Sequence, residues 1–181
     1  MISLRSSLTK KILNYFFINS HERLYVNELS RKLALDKRNL VRKIKELEAE
    51  GILRVEKRGN SKFCSINKKY PLYKEYQKIV LKTIGFENRL RELLKKIRGI
   101  KEVYIYGSYA ADKMDMHSDI DLLVIGSHSI VELQRLINKL QREIDREINT
   151  LNMNTREFRK RIKNQDGFVL GILKNKNIKI I

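Results

Sequence analysis

The stretch Tyr104–Gly126, YIYGSYAADKMDMHSDIDLLVIG, combines two apolar runs with a glycine-serine pair and two closely spaced aspartates. The run that ends at Tyr106 is aromatic and β-branched, which favours a β-strand. Gly107 can end that strand, and Ser108 can then cap a short helix that starts in YAAD. A strand that leads into a glycine-serine turn and a helix N-terminus is typical of a phosphate site, because backbone N–H groups and the helix dipole face the anion.

A second strand is predicted directly after the two aspartates, in SDIDLLVIG. Side chains alternate between the faces of a strand, so Asp119 and Asp121 share one face while Ile120 points into the core. Two neighbouring carboxylates repel each other at neutral pH. Bound Mg²⁺ removes that repulsion, since this hard cation prefers oxygen ligands and also binds phosphates. The pair therefore indicates a magnesium site beside a phosphate site.

This pattern resembles the nucleotidyltransferase superfamily of the DNA polymerase beta type, and within it the minimal nucleotidyltransferases, some of which are antitoxins. It consists of Gly107-Ser108, ten intervening residues and Asp119-Ile120-Asp121, with a strand at each end. The resemblance covers about residues 86–181. It implies that Gly107 and Ser108 hold the phosphates of a nucleoside triphosphate. It also implies that Asp119 and Asp121 bind Mg²⁺ and are the catalytic residues of nucleotidyl transfer.

The sequence departs from this family at two places. Minimal members often carry Arg or Lys followed by Gly soon after the glycine-serine pair, where this chain has Ala111 and Asp112. The family usually places a third carboxylate on the next strand, and the matching position in REINTLNM is Asn149. Glu147 shares that strand face, and whether it substitutes for the missing carboxylate stays open. An amide cannot take a proton from an attacking hydroxyl, so nucleotide binding is expected and enzyme activity is left open.

Composition favours a polyanionic partner. The 181 residues include 39 Lys and Arg against 21 Asp and Glu, a formal net charge of +18, and basic proteins gain affinity for nucleic acid by releasing counterions from phosphates. The single cysteine, Cys64, excludes an internal disulfide and a cysteine-rich zinc site, and is typical of a reducing cytoplasm. No apolar run approaches the roughly 18 residues of a membrane helix, so no membrane association is expected.

Three helical patterns precede Pro71, which is the only proline and the expected domain boundary. The third, DKRNLVRKIKELEAEG, has a cap at Asp36 and a stop at Gly51. Its apolar stripe consists of Leu40, Ile44 and Leu47. Two strand-like runs follow, ILRVEK and KFCSIN, joined by RGNS, which suits a hairpin turn. This order resembles the winged-helix regulators of the MarR and ArsR kind over about residues 4–68.

That resemblance implies that the third helix binds double-stranded DNA, because Arg and Asn side chains can read base edges in the major groove. The helix residues expected to contact DNA are Lys37, Arg38, Asn39, Arg42 and Lys43. At the hairpin tip, Lys57 and Arg58 are placed to reach backbone phosphates. A winged helix that docks a protein instead is the alternative, which the sequence leaves open.

Residues 71–97 carry side chains at alternating spacings of four and three, a heptad-like seam. The seam positions are Leu72, Tyr76, Ile79, Thr83, Phe86, Leu90, Leu93 and Ile97. Gly85 interrupts the pattern and is expected to bend or split the helix. The segment is either a dimer helix, which would make the protein a homodimer, or a helix pair that packs on its own domains.

The sequence thus predicts an α+β protein with three parts. Residues 1–70 form a winged helix, 71–97 a connecting helix or helix pair, and 98–181 an α/β nucleotidyltransferase-like domain on a small mixed sheet. Beyond Thr155, two helices and a final strand are expected. Apolar residues assigned to the core there are Phe158, Ile162, Phe168, Leu170 and Leu173.

The favoured function is a DNA-binding transcriptional regulator whose second domain binds a nucleoside triphosphate with Mg²⁺, with nucleotidyl transfer left open. One alternative is a nucleotidyltransferase or antitoxin that modifies a partner protein or RNA and uses the winged helix for docking. Another is a catalytically inactive nucleotide sensor that biases DNA affinity.

Overall fold

The computed structural model describes residues 3–59 and 61–181, and the chain divides into two units between Asn88 and Arg89. Each unit combines helices with a sheet of its own, so the protein has the α+β fold class that the sequence predicts. Within the described residues, no helix has both the length and the apolar character needed to cross a membrane.

The three helices predicted before Pro71 are present in the first unit. They are α1 Ser7–Ile18, α2 Val26–Leu33 and α3 Lys37–Ala49. The Asp36 carboxylate accepts a hydrogen bond of 2.9 Å from the backbone N–H of Asn39, which is the expected cap of α3. The predicted apolar stripe of α3 is buried. Gly51 follows the helix with a φ of +81°, a conformation in which glycine commonly ends helices.

The predicted hairpin forms most of an antiparallel sheet. Its strands are β1 Leu24–Tyr25, β2 Leu53–Arg58 and β3 Ser61–Ile66, in the order β1-β3-β2. In the turn, Gly59 has a φ of +57°, as the hairpin requires, while the neighbouring turn residue Asn60 lies outside the described residues. Burial raises the pKa of the Cys64 thiol in β3 to about 12, so this cysteine is not a thiolate nucleophile at neutral pH.

The heptad-like segment is split into two helices, as Gly85 leads one to expect. They are α4 Tyr73–Thr83 and α5 Phe86–Leu94. A Cβ atom at Gly85 would lie 2.4 Å from Oδ1 of Asn14 and 2.8 Å from the carbonyl oxygen of Val80, so only glycine fits between the helices. The early seam residues Leu72 and Ile79 are about half exposed, whereas the seam residues from α5 onward are buried. The two helices therefore do not present one continuous apolar face.

The second unit is built on a four-stranded mixed sheet, as predicted. Its strands are β4 Ile100–Tyr106, β5 Ile120–Gly126, β6 Ile148–Met153 and β7 Ile178–Lys179. The order is β6-β5-β4-β7, with β5 and β6 parallel and the other pairs antiparallel. Strand β5 lies inside the sheet, and all but one of its residues are buried. A strand that is covered on both faces is expected to have such a continuous apolar sequence.

The helices of the second unit are α6 Gly107–Ala110, α7 Ile130–Ile144, α8 Thr155–Lys163 and α9 Gly167–Lys174. Helices α8 and α9 contribute Phe158, Val169 and Ile172 to a core on one sheet face, together with Leu123, Ile125 and Met153. The expectation that Phe168 belongs to this core is wrong, because its side chain is 51% exposed. Helix α9 buries the next residue, Val169, instead, and about half of the Phe168 side chain stays open to solvent.

Candidate functional site

Strand register brings the sequence-predicted site residues to one end of the second sheet. Asp121 on β5 is paired with Tyr106, the last residue of antiparallel strand β4. On its other side, Asp121 is paired with Asn149 of parallel strand β6. Because Gly107 directly follows Tyr106, the glycine-serine pair and the two aspartates meet at the same sheet end. Separate parts of the sequence therefore form one site.

Gly107 is required by the position of the Asp121 side chain. Its φ is +70°, in the left-handed region that favours glycine. A Cβ atom at this position would lie 2.5 Å from Oδ2 of Asp121 and 3.5 Å from its Cγ. Glycine therefore lets the turn adopt its conformation and also leaves room for the carboxylate.

Ser108 differs from the expectation that it caps a helix. Helix α6 begins one residue earlier, at Gly107, and its N-cap Tyr106 makes no side-chain capping hydrogen bond. Ser108 lies inside the helix, and its Oγ donates a long hydrogen bond of 3.4 Å to the carbonyl oxygen of Asp119. The hydroxyl thus links the glycine-serine turn to the chain that enters β5.

The two aspartates lie at the start of β5, with Ile120 fully buried between them. Burial, followed by the negative charge of Asp119, raises the pKa of Asp121 above its ordinary value, and a hydrogen bond from Asn149 partly offsets this. Raised pKa values of this kind mark a site where negative charge is held at a cost. Two half-buried carboxylates with a turn of backbone N–H groups beside them are a donor set that fits Mg²⁺ bound to phosphate.

At the position where the family resemblance predicts a third carboxylate, the site has the amide side chain of Asn149. Nδ2 of Asn149 donates a hydrogen bond of 3.2 Å to Oδ2 of Asp119. Glu147 is exposed, and its contact with β5 is made by its backbone, whose carbonyl accepts from the N–H of Ile120 at 3.0 Å. Among the described residues, no group of three or more His, Cys, Asp or Glu side chains could hold a metal ion. Any metal at this site would therefore depend on two carboxylates.

Arg146 is a site residue that the sequence analysis missed. Its Nη1 lies 3.0–3.1 Å from the backbone carbonyl oxygens of Asp115, Met116 and Ser118, in the loop that leads to Asp119. One guanidinium nitrogen thus fixes the chain just before the paired carboxylates. No local sequence pattern predicts this role, because Arg146 lies about thirty residues further along the chain than the loop that it contacts.

Asp112 occupies the position where minimal nucleotidyltransferases often have glycine. Its φ is +60°, so the backbone has the left-handed conformation that glycine would adopt most easily. Aspartate is among the few other residues that tolerate this conformation. The turn after α6 therefore has a backbone conformation that both glycine and aspartate can adopt.

The residues expected to contact DNA lie in the first unit, and most of them are exposed. On α3, Lys37, Arg38, Asn39 and Arg42 are exposed, whereas Lys43 is partly buried and forms an ion pair with Glu46. At the hairpin, Lys57 is exposed. Arg58 lies 3.7 Å from a carboxylate oxygen of Glu56, and its guanidinium carbon lies 5.5 Å from the centre of the Phe63 ring. Lys43 and Arg58 thus already have partners within their own unit.

Comparison with solved structures gives several similar chains, among them three of low identity. A toxin–antitoxin crystallised with AMP-PNP is 19% identical, with a TM-score of 0.37, and the match covers 52% of this chain and 72% of that one. A variant of the toxin–antitoxin MntA–HpeT is 16% identical, with a TM-score of 0.40 and the same coverage. A nucleotidyltransferase-like structure from Sulfolobus solfataricus is 19% identical, with a TM-score of 0.30, and the match covers 41% of this chain and 68% of that one.

A search of the curated proteins found no match. The scan of family models matched residues 88–172, nearly the whole second unit up to α9, to the family described as Polymerase beta, Nucleotidyltransferase. That segment contains the glycine-serine turn, both aspartates and Asn149. Over residues 88–172, the second unit of this protein is therefore similar to the nucleotidyltransferases of the polymerase beta type.

Proposed function

We propose that the second unit binds a nucleoside triphosphate with Mg²⁺ and acts in nucleotidyl transfer to a partner protein or RNA. The observation that carries this proposal is the contact of Gly107 with Asp121, which puts a phosphate-binding turn and paired carboxylates in one place. Gly107 and Ser108 would hold the phosphates, and Asp119 and Asp121 would hold the metal.

When bound, Mg²⁺ supplies charge neutralisation on the phosphates and polarises the phosphoryl oxygens. The chain itself orients the nucleotide through the glycine-serine turn and fixes Asp119 through the loop held by Arg146. Asn149 contributes a neutral amide where the family usually has a carboxylate, so it cannot accept the proton of an attacking hydroxyl. We therefore expect firm Mg-nucleotide binding and slow transfer, which also suits a nucleotide sensor.

Isothermal titration calorimetry with Mg²⁺ and ATP tests the binding site. Asp119→Asn and Asp121→Asn should each weaken Mg-ATP binding by at least about tenfold, because fewer anionic oxygens hold the cation. Glu147→Gln is the matched control, since this exposed carboxylate just before β6 should leave the affinity unchanged. Equal Mg-ATP affinity in the parent protein and both aspartate variants would reject the site.

The acceptor is tested with ATP radiolabelled at the α-phosphate and a lysate that contains both protein and RNA. Label that survives nuclease but not protease would identify a protein acceptor, and the reverse would identify RNA. Either result would show the transfer activity that we propose for the second unit. Nucleotide binding without label on either class would support the sensor instead.

A second candidate function, DNA binding, belongs to the first unit. Three helices followed by a hairpin support a winged helix, and the observation that favours DNA is the exposed basic face of α3. Lys37, Arg38 and Arg42 lie on this exposed face, while the opposite stripe of the helix is buried. Such a face can neutralise phosphates and place an arginine against base edges.

Fluorescence anisotropy with duplex DNA at several salt concentrations tests this second function. Arg38→Ala with Arg42→Ala should weaken binding and reduce the slope of log affinity against log salt by about 0.9 for each phosphate that the variant no longer neutralises. The control is Lys139→Ala with Lys163→Ala, which removes the same charge from exposed positions of the second unit. If both double variants have the same DNA affinity and the same salt slope, α3 does not bind the DNA. Docking of a partner protein would then be the better explanation of what the first unit does.

A further inference from the structure

An exposed aromatic ring borders the candidate nucleotide site. Phe168 is the second residue of α9, and its side chain is 51% exposed although its neighbour Val169 is fully buried. Its ring packs at 90° against the ring of Tyr106, with 6.0 Å between the ring centres. The edge-to-face contact holds Phe168 in place through one part of its ring and leaves the rest open to solvent.

The strand register places this aromatic pair next to the paired carboxylates. Tyr106 is the cross-strand partner of Asp121, and directly paired residues of antiparallel strands put their side chains on the same face. Two residues further along β5, Leu123 lies in the core that α9 covers. The start of α9 therefore lies over the end of the sheet that carries Asp121.

Tyr106 connects Phe168 to the end of the sheet that carries the aspartates. Its ring packs against the Phe168 ring, and Tyr106 is paired across the strands with Asp121.

We propose that Phe168, positioned by Tyr106, is the stacking surface for the base of the bound nucleotide. This inference rests on the proposed Mg-nucleotide site at Gly107, Ser108 and the two aspartates. An aromatic ring stacks on any nucleobase, since every base has a π-face. The site would therefore accept several nucleoside triphosphates and bind them more tightly than an inorganic triphosphate.

Calorimetry with two ligands separates the base from the phosphates. The parent protein and Phe168→Ala are each titrated with ATP and with inorganic tripolyphosphate, both in excess Mg²⁺. Phe168→Ala should weaken ATP binding by about tenfold or more and leave tripolyphosphate binding unchanged. Ile130→Ala is the control, because Ile130 is a similarly exposed apolar residue of the same unit, at 60%.

A second variant tests directly whether residue 168 contacts the base of the nucleotide. The chain contains no tryptophan, so Phe168→Trp introduces a single indole that can be excited selectively over the tyrosines, while keeping an aromatic surface. ATP should quench or shift its fluorescence and bind with near-parental affinity, and tripolyphosphate should leave the emission nearly unchanged.

The outcomes are distinguishable. Equal losses of ATP and tripolyphosphate binding in Phe168→Ala would overturn the stacking role, because the ring would then be structural. A parent that binds ATP no more tightly than tripolyphosphate would also overturn it, while the proposed metal and phosphate site would stand. A parent that binds neither ligand would overturn the proposed function and this inference together.

Discussion

Gly107 and Asp121 are so close that a Cβ atom at residue 107 would lie 2.5 Å from Oδ2 of Asp121. The two residues meet because Gly107 follows the last residue of β4, which is paired with Asp121 on β5. The glycine is therefore needed for the position of the carboxylate, apart from any contact of its N–H with a phosphate.

Gly107→Ala should damage both stability and nucleotide binding. The left-handed φ of residue 107 costs an alanine about 1–2 kcal/mol, and the added methyl group would displace Asp121. Denaturant unfolding should show a loss of that size or larger, and calorimetry should show Mg-ATP affinity lower by at least about tenfold.

Gly59→Ala is the control for backbone strain alone. Gly59 has a similar φ of +57°, and among the described residues outside its chain neighbours, none would lie within 4 Å of a Cβ atom there. This variant should lose stability through strain but keep the parental Mg-ATP affinity. If Gly107→Ala also keeps that affinity, the close approach to Asp121 does not matter for binding.

Asn149→Asp should increase nucleotidyl transfer. It places a third carboxylate at the position paired with Asp121, where it can bind metal and accept a proton, a contribution of about 10²-fold or more in rate. The rate of label release or transfer from ATP labelled at the α-phosphate measures the effect. Glu147→Gln should change little, and brisk transfer by the parent that Glu147→Gln abolishes would make Glu147 the third carboxylate.

Asp121→Asn should stabilise the metal-free protein at neutral pH. The pKa of Asp121 is raised in the folded state above its ordinary value of 3.8, so the folded protein holds that proton more tightly than the unfolded chain. Stability therefore falls as pH rises from about 3.8 through the raised pKa, and stays lower above it. Replacement by Asn removes this loss.

Thermal unfolding in the presence of a chelator measures this effect. The difference in Tm between Asp121→Asn and the parent should be smallest near pH 4 and grow toward neutral pH. Added Mg²⁺ and ATP should raise the Tm of the parent more than that of the variant, because a ligand stabilises the folded form in proportion to how tightly it binds. A difference in Tm that does not depend on pH would contradict the electrostatic explanation.

Arg146→Gln should weaken Mg-nucleotide binding without abolishing the fold. The variant loses the guanidinium nitrogen that meets three carbonyl groups of the loop before Asp119. Residues that orient metal ligands typically contribute about 10–100-fold in affinity, and calorimetry should find a loss in this range. Arg142→Gln, on the exposed side of α7 near its end, is the control and should bind as the parent does.

The sequence alone was enough to predict the main helices and strands and the residues that form the candidate site along β4 and β5. Apolar periodicity predicted α3 with its cap at Asp36, and the hairpin that follows it. Alternation along β5 predicted that Asp119 and Asp121 flank a buried Ile120. The spacing of the glycine-serine pair and the aspartates predicted the family that residues 88–172 match. These features depend on residues that are close together in the sequence, so the local sequence pattern is enough to predict them.

The tertiary structure decided which distant residues meet. The register of β6 puts Asn149 beside the aspartates, the end of α7 brings Arg146 to their loop, and the approach of Asp121 explains why residue 107 must be glycine. The apolar pattern of α9 predicts a core position for Phe168, because aromatic residues in an apolar helix usually lie there. Its exposure depends on which face of α9 covers the sheet, and that is fixed by packing between elements far apart in the chain.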